Sequence, residues 1–438
     1  MRSRSPLFLT FALPGTLLAQ DPGPASPPKP STELSIPGVR KLTVGGQYRL
    51  RYENQIDLDL DDDTRPDGND FFTQRARLSL GFDFGEELGA FLQLQDVREF
   101  GEETSTLDDS ADGLDMHQAY VDLKKGLGGS TRLGRQELAL GEQRLVGALD
   151  WKNQARSFDG FTQQWVNDEG SKLEAWAFQV RETLPATTTP AGNYDDQWFL
   201  GVQRSSKPMT DTVADVYLMF LQDDGTAPGA SAHRFTLGTR WLWSTPAWEL
   251  GAELVTQFGE QAGADIPIGD TYAAHAHVTK RIDCECKAWI RGEVNVASGN
   301  DPNTADNERF NNLFPTAHAH WGMLDLALWE NMFNGMVQIG FKPCEKADLS
   351  ASWNFFRSME ARDSFGGPNG TVVPAGTTDS NTIGNEIDVI YTRQLDLASG
   401  VKTAVQIGYG VFLPGAAPDS IDRDSTGHFV YAQFDLKF

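Results

Sequence analysis

The chain has 438 residues, a formal net charge of −24 and only 39% hydrophobic residues. That hydrophobic share is below the level typical of globular domains, whereas aromatic residues reach 11% and there are 43 glycines. The composition favours many half-buried strands over one thick apolar core, and so acidic a chain is not expected to bind nucleic acid. The length allows either several small domains or one large closed barrel.

The first residues have the pattern of a secretory signal. MRSRSPLFLTFALPGTLLAQ contains two arginines, an apolar run from Leu7 to Leu18 and a small residue at Ala19. These are the n-region, h-region and cleavage site of a signal peptide that is too short to span a bilayer. We therefore assign residues 1–19 to a signal peptide, and the Pro-rich residues 20–40 to a disordered lead-in.

Segments that alternate apolar and polar residues begin at Leu42 and recur to the C-terminus. In LTVGGQYRLRYE, Tyr48 and Leu50 share one face while Arg49 and Arg51 share the other, which is the period of a β-strand. About eighteen such segments are present, and the links between them alternate between short and long. The short links include GEEL and STPA, and the long links include residues 298–331 and 358–382.

This alternation of short and long links is typical of outer-membrane barrels, which have short periplasmic turns and long extracellular loops. No window after the signal approaches the roughly 20 consecutive apolar residues of a transmembrane helix. We therefore predict an all-β fold for residues 41–438: a transmembrane antiparallel β-barrel of about 18 strands in a Gram-negative outer membrane, in contact with its lipid. The final strand ends at Phe438 and resembles the signal that the barrel assembly machinery reads.

The charges are distributed unevenly along the predicted barrel. Acidic residues crowd the first two long loops, where solvation is the simplest explanation for them. These residues are Asp57, Asp59, Asp61, Asp62, Asp63, Asp67, Asp70, Glu102, Glu103, Asp108, Asp109, Asp112 and Asp115. Arginines instead occupy the polar parity of strands, where guanidinium groups favour anions. They are Arg49, Arg51, Arg75, Arg77, Arg234, Arg240 and Arg291. The alternative is that they pair with Asp83, Glu249 and Glu253 and only stiffen the wall.

Two stretches carry a resemblance to a known family. GRQELALGEQRLVGALDWKNQARSFDGF (residues 134–161) and NNLFPTAHAHWGMLD (residues 311–325) resemble motifs of the alginate export family, whose outer-membrane barrels pass an anionic polysaccharide. HQAYVDLK, GNEIDVIYTRQL and VFLPG are weaker echoes of the same family. The likeness extends from about Leu42 to Phe438.

The resemblance implies an eighteen-stranded barrel with a narrow, arginine-rich constriction that infolded loops help to form. It places a set of residues in the wall and infolded loop near the narrowest part, with Arg75 and Arg77 lining the lumen nearby. The set is Arg135, Arg144, Asp150, Trp151, Asn153, Gln154, Arg156 and Asp159. Their chemistry suits a sugar acid, because guanidinium groups bind carboxylates, amides bind hydroxyls and Trp stacks on pyranose faces. The two aspartates would orient the arginines.

Cysteine and histidine patterns give weaker signals. Cys284 and Cys286 fall in one short turn and Cys344 in another on the same rim, so a bridge between these turns requires the rim to bring them together. His275 and His277 point into the predicted lumen, and His318 and His320 would also share a face if their loop is extended. Such pairs can chelate metals, but polar residues belong in a lumen in any case, and we expect neither a metal nor a cofactor.

These patterns predict a non-enzymatic outer-membrane channel for passive transport or export of an anionic, alginate-like polysaccharide or a related small anionic solute, through an arginine-lined pore. Periplasmic export partners are a further expectation. The alternatives are a general diffusion porin and, from another class, a barrel hydrolase or a soluble secreted glycan-binding protein. The sequence contains no phosphate loop, no G-x-S-x-G and no H-E-x-x-H.

Overall fold

The computed structural model describes residues 38–61, 68–100, 114–181, 196–223, 232–261 and 266–438. The predicted signal peptide and most of the Pro-rich lead-in lie outside the described residues, as do residues 62–67 and 101–113 of the two acidic loops.

The described chain forms one closed antiparallel barrel of eighteen strands, as predicted. The wall strands are β1 (Lys41–Ile56), β2 (Asn69–Asp83), β3 (Leu88–Glu99), β4 (Asp115–Leu123), β5 (Ser130–Gln136), β6 (Phe158–Val166), β7 (Lys172–Arg181), β8 (Gln197–Ser206), β9 (Thr212–Asp223), β10 (Ala232–Ser244), β11 (Trp248–Gln261), β12 (Ile266–Arg281), β13 (Trp289–Ala297), β14 (Met332–Cys344), β15 (Ala347–Arg357), β18 (Thr382–Leu395), β19 (Lys402–Pro414) and β20 (Gly427–Lys437). The short strands β16 (Phe365–Gly367) and β17 (Gly370–Val373) form a separate hairpin, and α1 (Ala416–Asp419) is a single helical turn.

Pairing between β1 and β20 closes the barrel. At this seam Phe438 exchanges backbone hydrogen bonds with Gly46, at 3.0 and 3.1 Å. A Cβ on Gly46 would lie 2.5 Å from the Phe438 ring, so a larger residue there would require that ring to move. Because every strand has two neighbours, no sheet edge is left unpaired in the barrel.

The strand faces have the polarity of a membrane barrel. Along β11 from Trp248 to Phe258 each inward residue is buried and each outward residue is exposed, with Glu249 and Glu253 inside and Leu250 and Leu254 outside. Leu254 is 59% exposed and Ile339 is 51% exposed, which is costly in water but favourable against lipid. The inward parity of Arg49 and Arg51 on β1 agrees with the sequence pattern. The described residues contain no helix long and apolar enough to span a bilayer.

Long links on one side of the barrel fold back into its lumen. We call residues 137–157 inward segment 1 and residues 298–331 inward segment 2. They meet in a short parallel bridge, where Gly147 donates its N–H to Phe314 O (2.9 Å) and Phe314 donates to Leu145 O (2.8 Å). The bridge satisfies backbone groups that would otherwise be buried without partners.

An apolar cluster forms where these segments meet the wall, because their large side chains have no other place to leave water. Its members include Leu138, Leu145, Val146, Phe310, Trp321, Leu324 and Trp329 from the segments and Phe158, Phe178 and Phe199 from the wall. The hairpin β16–β17 adds Phe365, Val372 and Val373. The hydrophobic core of this protein therefore lies inside the barrel, where the loops narrow the lumen.

Two questions that the sequence left open concern the cysteines and the pair His318 and His320. Cys284 and Cys286 form a disulfide within one turn, and Cys344 is a free, exposed thiol. The two turns do touch, since the Lys342 N–H donates to Cys286 O at 2.7 Å. Segment 2 is not extended at its histidines: a 3-10 turn at Ala317–Ala319 gives His318 and His320 different partners.

Candidate channel constriction

Four arginines on the inward faces of β1 and β2 converge on the tip of inward segment 1. Arg49 donates to Asp150 O (2.7 Å), Trp151 O (3.2 Å) and Lys152 O (3.3 Å). Arg51 donates to Trp151 O at 2.8 Å, and Arg75 to Asp150 O at 3.1 Å. These strands are neighbours in register, with Arg49 opposite Arg75, so their alternation alone places these arginines side by side. The wall thus holds the segment through its backbone carbonyls.

Asp150 is the charged anchor of the same contact. One carboxylate oxygen lies 2.7 Å from Arg75 Nη2 and 2.9 Å from Arg77 Nη1, so both guanidinium groups share it. The Arg77 side chain is also fixed by Gln95, whose Oε1 accepts from Nε at 2.6 Å. Burial alone would raise the pKa of Asp150, but Arg75 and Arg77 outweigh it and hold that pKa well below its usual range. The role expected for Asp150, orienting arginines, fits this geometry.

Trp151 links the wall to both inward segments. The Arg51 guanidinium lies 3.8 Å from its ring centroid, and the His318 ring of segment 2 stacks on it at 3.6 Å with an interplanar angle of 7°. Tyr431 of β20 meets it edge-on at 5.0 Å. Such cation–π and aromatic contacts hold the indole in one orientation.

Asn153 and Gln154 complete the tip of segment 1. Asn153 donates to Gln74 O on β2 at 3.0 Å and accepts from Arg49 through Oδ1 at 3.3 Å. The Gln154 side chain is exposed, and its backbone carbonyl accepts from Gln95 Nε2 at 2.8 Å. Of the two predicted hydroxyl-binding amides, Gln154 is therefore the one that presents its side chain to solvent.

The other end of segment 1 reaches the opposite wall. Arg144 is fully buried, and its Nη2 lies 3.1 Å from Glu293 Oε1 on β13 and 3.3 Å from Glu142 Oε2. Glu142 also lies 3.9 Å from Arg240 of β10. Segment 1 thus crosses the lumen from β1 and β2 to β10 and β13.

Arg156 joins segment 1 to segment 2. Its Nη1 donates to Gly147 O and Pro315 O, each at 3.1 Å, and to Phe314 O. Burial lowers the pKa of Arg156 to about 10, so the guanidinium is still charged at neutral pH. Arg156 holds the two inward segments together from within, because its guanidinium donates to three clustered carbonyls.

Arg135 and Asp159 lie elsewhere, which corrects the expectation drawn from the motif. They pair with each other at 2.6 Å and are 38% and 56% exposed. In the β5–β6 register they share a face with Leu133 and Phe161, both of which are exposed. The alternation of the strands therefore turns this ion pair to the outside of the barrel, away from the constriction.

The remaining lumenal arginines have wall partners, as the stiffening alternative proposed. Arg291 lies 2.8 Å from Glu293 and 3.6 Å from Glu249, Arg240 pairs with Asp215 at 3.0 Å, and Arg234 donates to Gln257 at 2.8 Å. The partners named from the sequence match only in part: Asp83 pairs with Lys124 at 2.6 Å, and Glu253 accepts from Tyr217 at 2.7 Å.

Two contacts of segment 2 were missed by the sequence reasoning. The buried Glu386 carboxylate on β18 accepts the backbone N–H groups of Met323 and Leu324, the latter at 2.9 Å. His318 Nδ1 lies 3.2 Å from Asp325 Oδ2. The available signal was the run of apolar residues within a long loop, from Trp321 to Trp329, which needs burial and hence inward folding.

Solved structures of other bacterial proteins share this barrel fold. OccD3 (OpdP) of Pseudomonas aeruginosa superposes with a TM-score of 0.59 at 10% identity, over 94% of this chain and 95% of that one. OpdK of the same organism, solved with vanillate, gives 0.59 at 11% identity, over 91% and 100%. OccAB4 of Acinetobacter baumannii gives 0.56 at 10% identity, over 92% and 99%. At these identities the likeness shows the fold alone.

The family itself is shown by the sequence. No curated protein sequence matches the chain. The model of the alginate export family matches residues 40–432, which is nearly the whole barrel. The chain therefore belongs to the alginate export family and is an outer-membrane β-barrel channel protein.

Proposed function

We propose that this protein is a passive outer-membrane channel for an anionic saccharide or a related anionic solute, and that inward segment 1 forms its constriction. The observation that carries the proposal is the convergence of Arg49, Arg51, Arg75 and Arg77 on the tip of this segment. Positive side chains at a constriction select anions by their field, and guanidinium groups add bidentate binding of carboxylates.

The partners of these arginines leave much of their charge in place. Most of the hydrogen bonds run to backbone carbonyls of residues 150–153, which are neutral acceptors. Asp150 forms ion pairs with Arg75 and Arg77, and Glu53 forms one with Arg51 at 2.6 Å. The carbonyls fix the guanidinium groups of Arg49, Arg51 and Arg75 without adding negative charge, which supports a positive potential at the constriction.

The chemistry of the solute is supported in two ways. The family model is described as alginate export, and alginate is a polymer of sugar carboxylates. The similar barrel OpdK was solved with vanillate, which is also a carboxylate. The common element is a carboxylate group, and the exposed Gln154 amide beside the arginines suits the hydroxyls of a sugar acid.

The alternatives fit the structure less well. A general diffusion porin is disfavoured because the apolar cluster and inward segment 1 occupy part of the lumen. A soluble secreted protein is incompatible with the closed barrel and its exposed apolar outer face. Periplasmic export partners, and recognition of the Phe438 strand by the barrel assembly machinery, belong to the proposal, and we propose no enzymatic step.

The test is the ion selectivity of arginine variants in planar bilayers. In a KCl gradient the zero-current potential of the wild type should show anion preference. Arg49→Lys with Arg51→Lys should keep that preference, because the charge stays. Arg49→Gln with Arg51→Gln should shift the zero-current potential toward cations, since it removes two positive charges at the constriction.

Arg135→Gln is the matched control, because Arg135 lies on the outer face. It removes one positive charge from the same motif and should leave the zero-current potential unchanged. If the double Gln variant keeps the selectivity of the wild type, the arginines only hold the loop and the proposed selection is wrong.

A further inference from the structure

A cluster of metal-ligand atoms lies at the opposite end of inward segment 1 from the arginines. His275 and His277 point into the lumen from β12, and Glu142 reaches them from the segment. One ligand atom from each of the three residues lies within 4.8 Å of the other two. Glu142 Oε2 is 3.8 Å from His275 Nε2, so the cluster joins a loop to the wall.

Hydrogen bonds fix which nitrogen of His275 faces the cluster. Asn295 Nδ2 donates to Glu293 Oε1 (3.0 Å) and Asn334 Oδ1 (2.9 Å), so its Oδ1 is left as an acceptor. His275 Nδ1, 2.8 Å from that oxygen, must donate to it. The lone pair of His275 Nε2 is therefore directed at His277 and Glu142, and an outer hydrogen bond of this kind orients metal-binding histidines.

His277 has a looser contact on its outer side. Its Nε2 lies 3.5 Å from Glu249 Oε1 without a hydrogen bond between them, and its Nδ1 faces inward. Gly251 is its register partner, and a Cβ there would lie 2.1 Å from the imidazole, so glycine makes room for the ring. Each imidazole thus has a side-chain oxygen on its outer side, hydrogen-bonded only at His275, and a nitrogen on its inner side.

The spacing of the inner nitrogens favours one kind of ion. His275 Nε2 and His277 Nδ1 are 2.9 Å apart. Two nitrogens bound at right angles, each about 2.0–2.1 Å from one ion, are separated by about that distance. Right-angled nitrogen and oxygen ligands are typical of Cu²⁺, whose complexes are tetragonal and which binds such sites more tightly than Zn²⁺.

Arg144 competes for the same place. Its Nη2 lies 3.2 Å from His275 Nε2 and also contacts Glu142 and Glu293. An ion at the cluster would have to displace this guanidinium from the carboxylates. Removing the positive charge of Arg144 should therefore strengthen the binding of a cation.

We propose that His275, His277 and Glu142 form a Cu²⁺ site that ties inward segment 1 to β12. The two imidazoles and one carboxylate supply three ligands, with water in the remaining position. The site is separate from Arg49, Arg51, Arg75 and Arg77, and it does not depend on which solute the channel carries.

Binding is tested with Cu²⁺ alone, on the folded protein purified without a histidine tag. Equilibrium dialysis should give one ion per chain, and its electron paramagnetic resonance spectrum should show coupling to two nitrogens. His275→Gln and His277→Gln should each weaken binding by about 100-fold, since even the outer partners of metal ligands contribute 10–100-fold. Arg144→Gln should tighten it.

His233→Gln is the matched control, because His233 is a half-exposed histidine at the end of β10 near Glu260. It should bind Cu²⁺ like the wild type. Heat-modifiable migration on gels shows that each variant is folded. The site is refuted if the folded double variant lacking His275 and His277 binds Cu²⁺ as the wild type does, or if Arg144→Gln weakens binding.

Discussion

Replacing residues 138–156 with a short Gly-Ser linker is expected to raise the single-channel conductance several-fold. Segment 1 crosses the lumen between the arginines of β1 and β2 and the β10–β13 wall, so its removal opens the passage at that level. The strands can be rejoined without distortion, because Gln136 and Phe158 are register partners at the ends of β5 and β6. The measurement is conductance in planar bilayers at fixed salt.

Heat-modifiable migration is the control for folding of the shortened barrel. The matched comparison is the Arg49→Lys, Arg51→Lys variant, which keeps the segment but weakens its attachment; its conductance should lie between those of the wild type and the deletion. A folded deletion variant that conducts like the wild type would show that segment 1 does not limit the flow.

The second large effect is expected for Asp150→Asn. Asparagine keeps the size of the side chain but removes the charge shared by Arg75 and Arg77. The Arg75 side chain is 0% exposed, so an uncompensated charge would remain in the interior. Breaking such a pair costs about 3 kcal/mol. Urea unfolding of the reconstituted barrel should show this loss, and conductance should become noisier as the tip of the segment is released.

The difference in free energy of unfolding between the wild type and Asp150→Asn should depend on pH, because the pKa of Asp150 is lowered in the folded protein. A carboxylate with a lower pKa in the folded than in the unfolded protein stabilises the fold above its unfolded pKa, and this is lost as the pH falls. The gap between wild type and Asp150→Asn should therefore stay constant from about pH 8 to pH 5 and shrink only below about pH 4.

Asp159→Asn is the control for this prediction. It breaks another arginine–aspartate pair of the same motif, at 2.6 Å, but on the outer face. Its conductance should match the wild type. If Asp150→Asn and Asp159→Asn behave alike, Asp150 does not anchor the constriction.

Much of the barrel follows from local pattern. The alternation of Tyr48, Leu50, Arg49 and Arg51 is enough to place the arginines inside, because a strand presents successive residues to opposite faces. The alternation of short and long links predicts which links lie on the periplasmic side and how many strands the barrel has. The same rule places Arg135 on the outer face, because Arg135 and Leu133 are two residues apart on β5 and share a face. The motif resemblance carries no information about faces, and it placed Arg135 near the constriction instead.

The interior could not be predicted in the same way, because its contacts join residues far apart in sequence. Arg49 meets Asp150 across 101 residues, and Arg144 meets His275 across 131. A strand pattern indicates which face a residue occupies, but not which loop folds over it. The contacts between the arginines and the backbone carbonyls of segment 1 depend on the path of that segment. Sequence periodicity does not predict this path.

We propose that the channel accepts anionic saccharides at the constriction that bears Arg49, Arg51, Arg75 and Arg77. The decisive measurement is the interruption of ionic current through the wild type in planar bilayers, comparing an oligouronate with a neutral oligosaccharide of equal length. The oligouronate should interrupt the current at clearly lower concentrations, and Arg49→Gln with Arg51→Gln should remove that advantage. Equal interruption by both sugars, or stronger interruption by the neutral one, would contradict the claim.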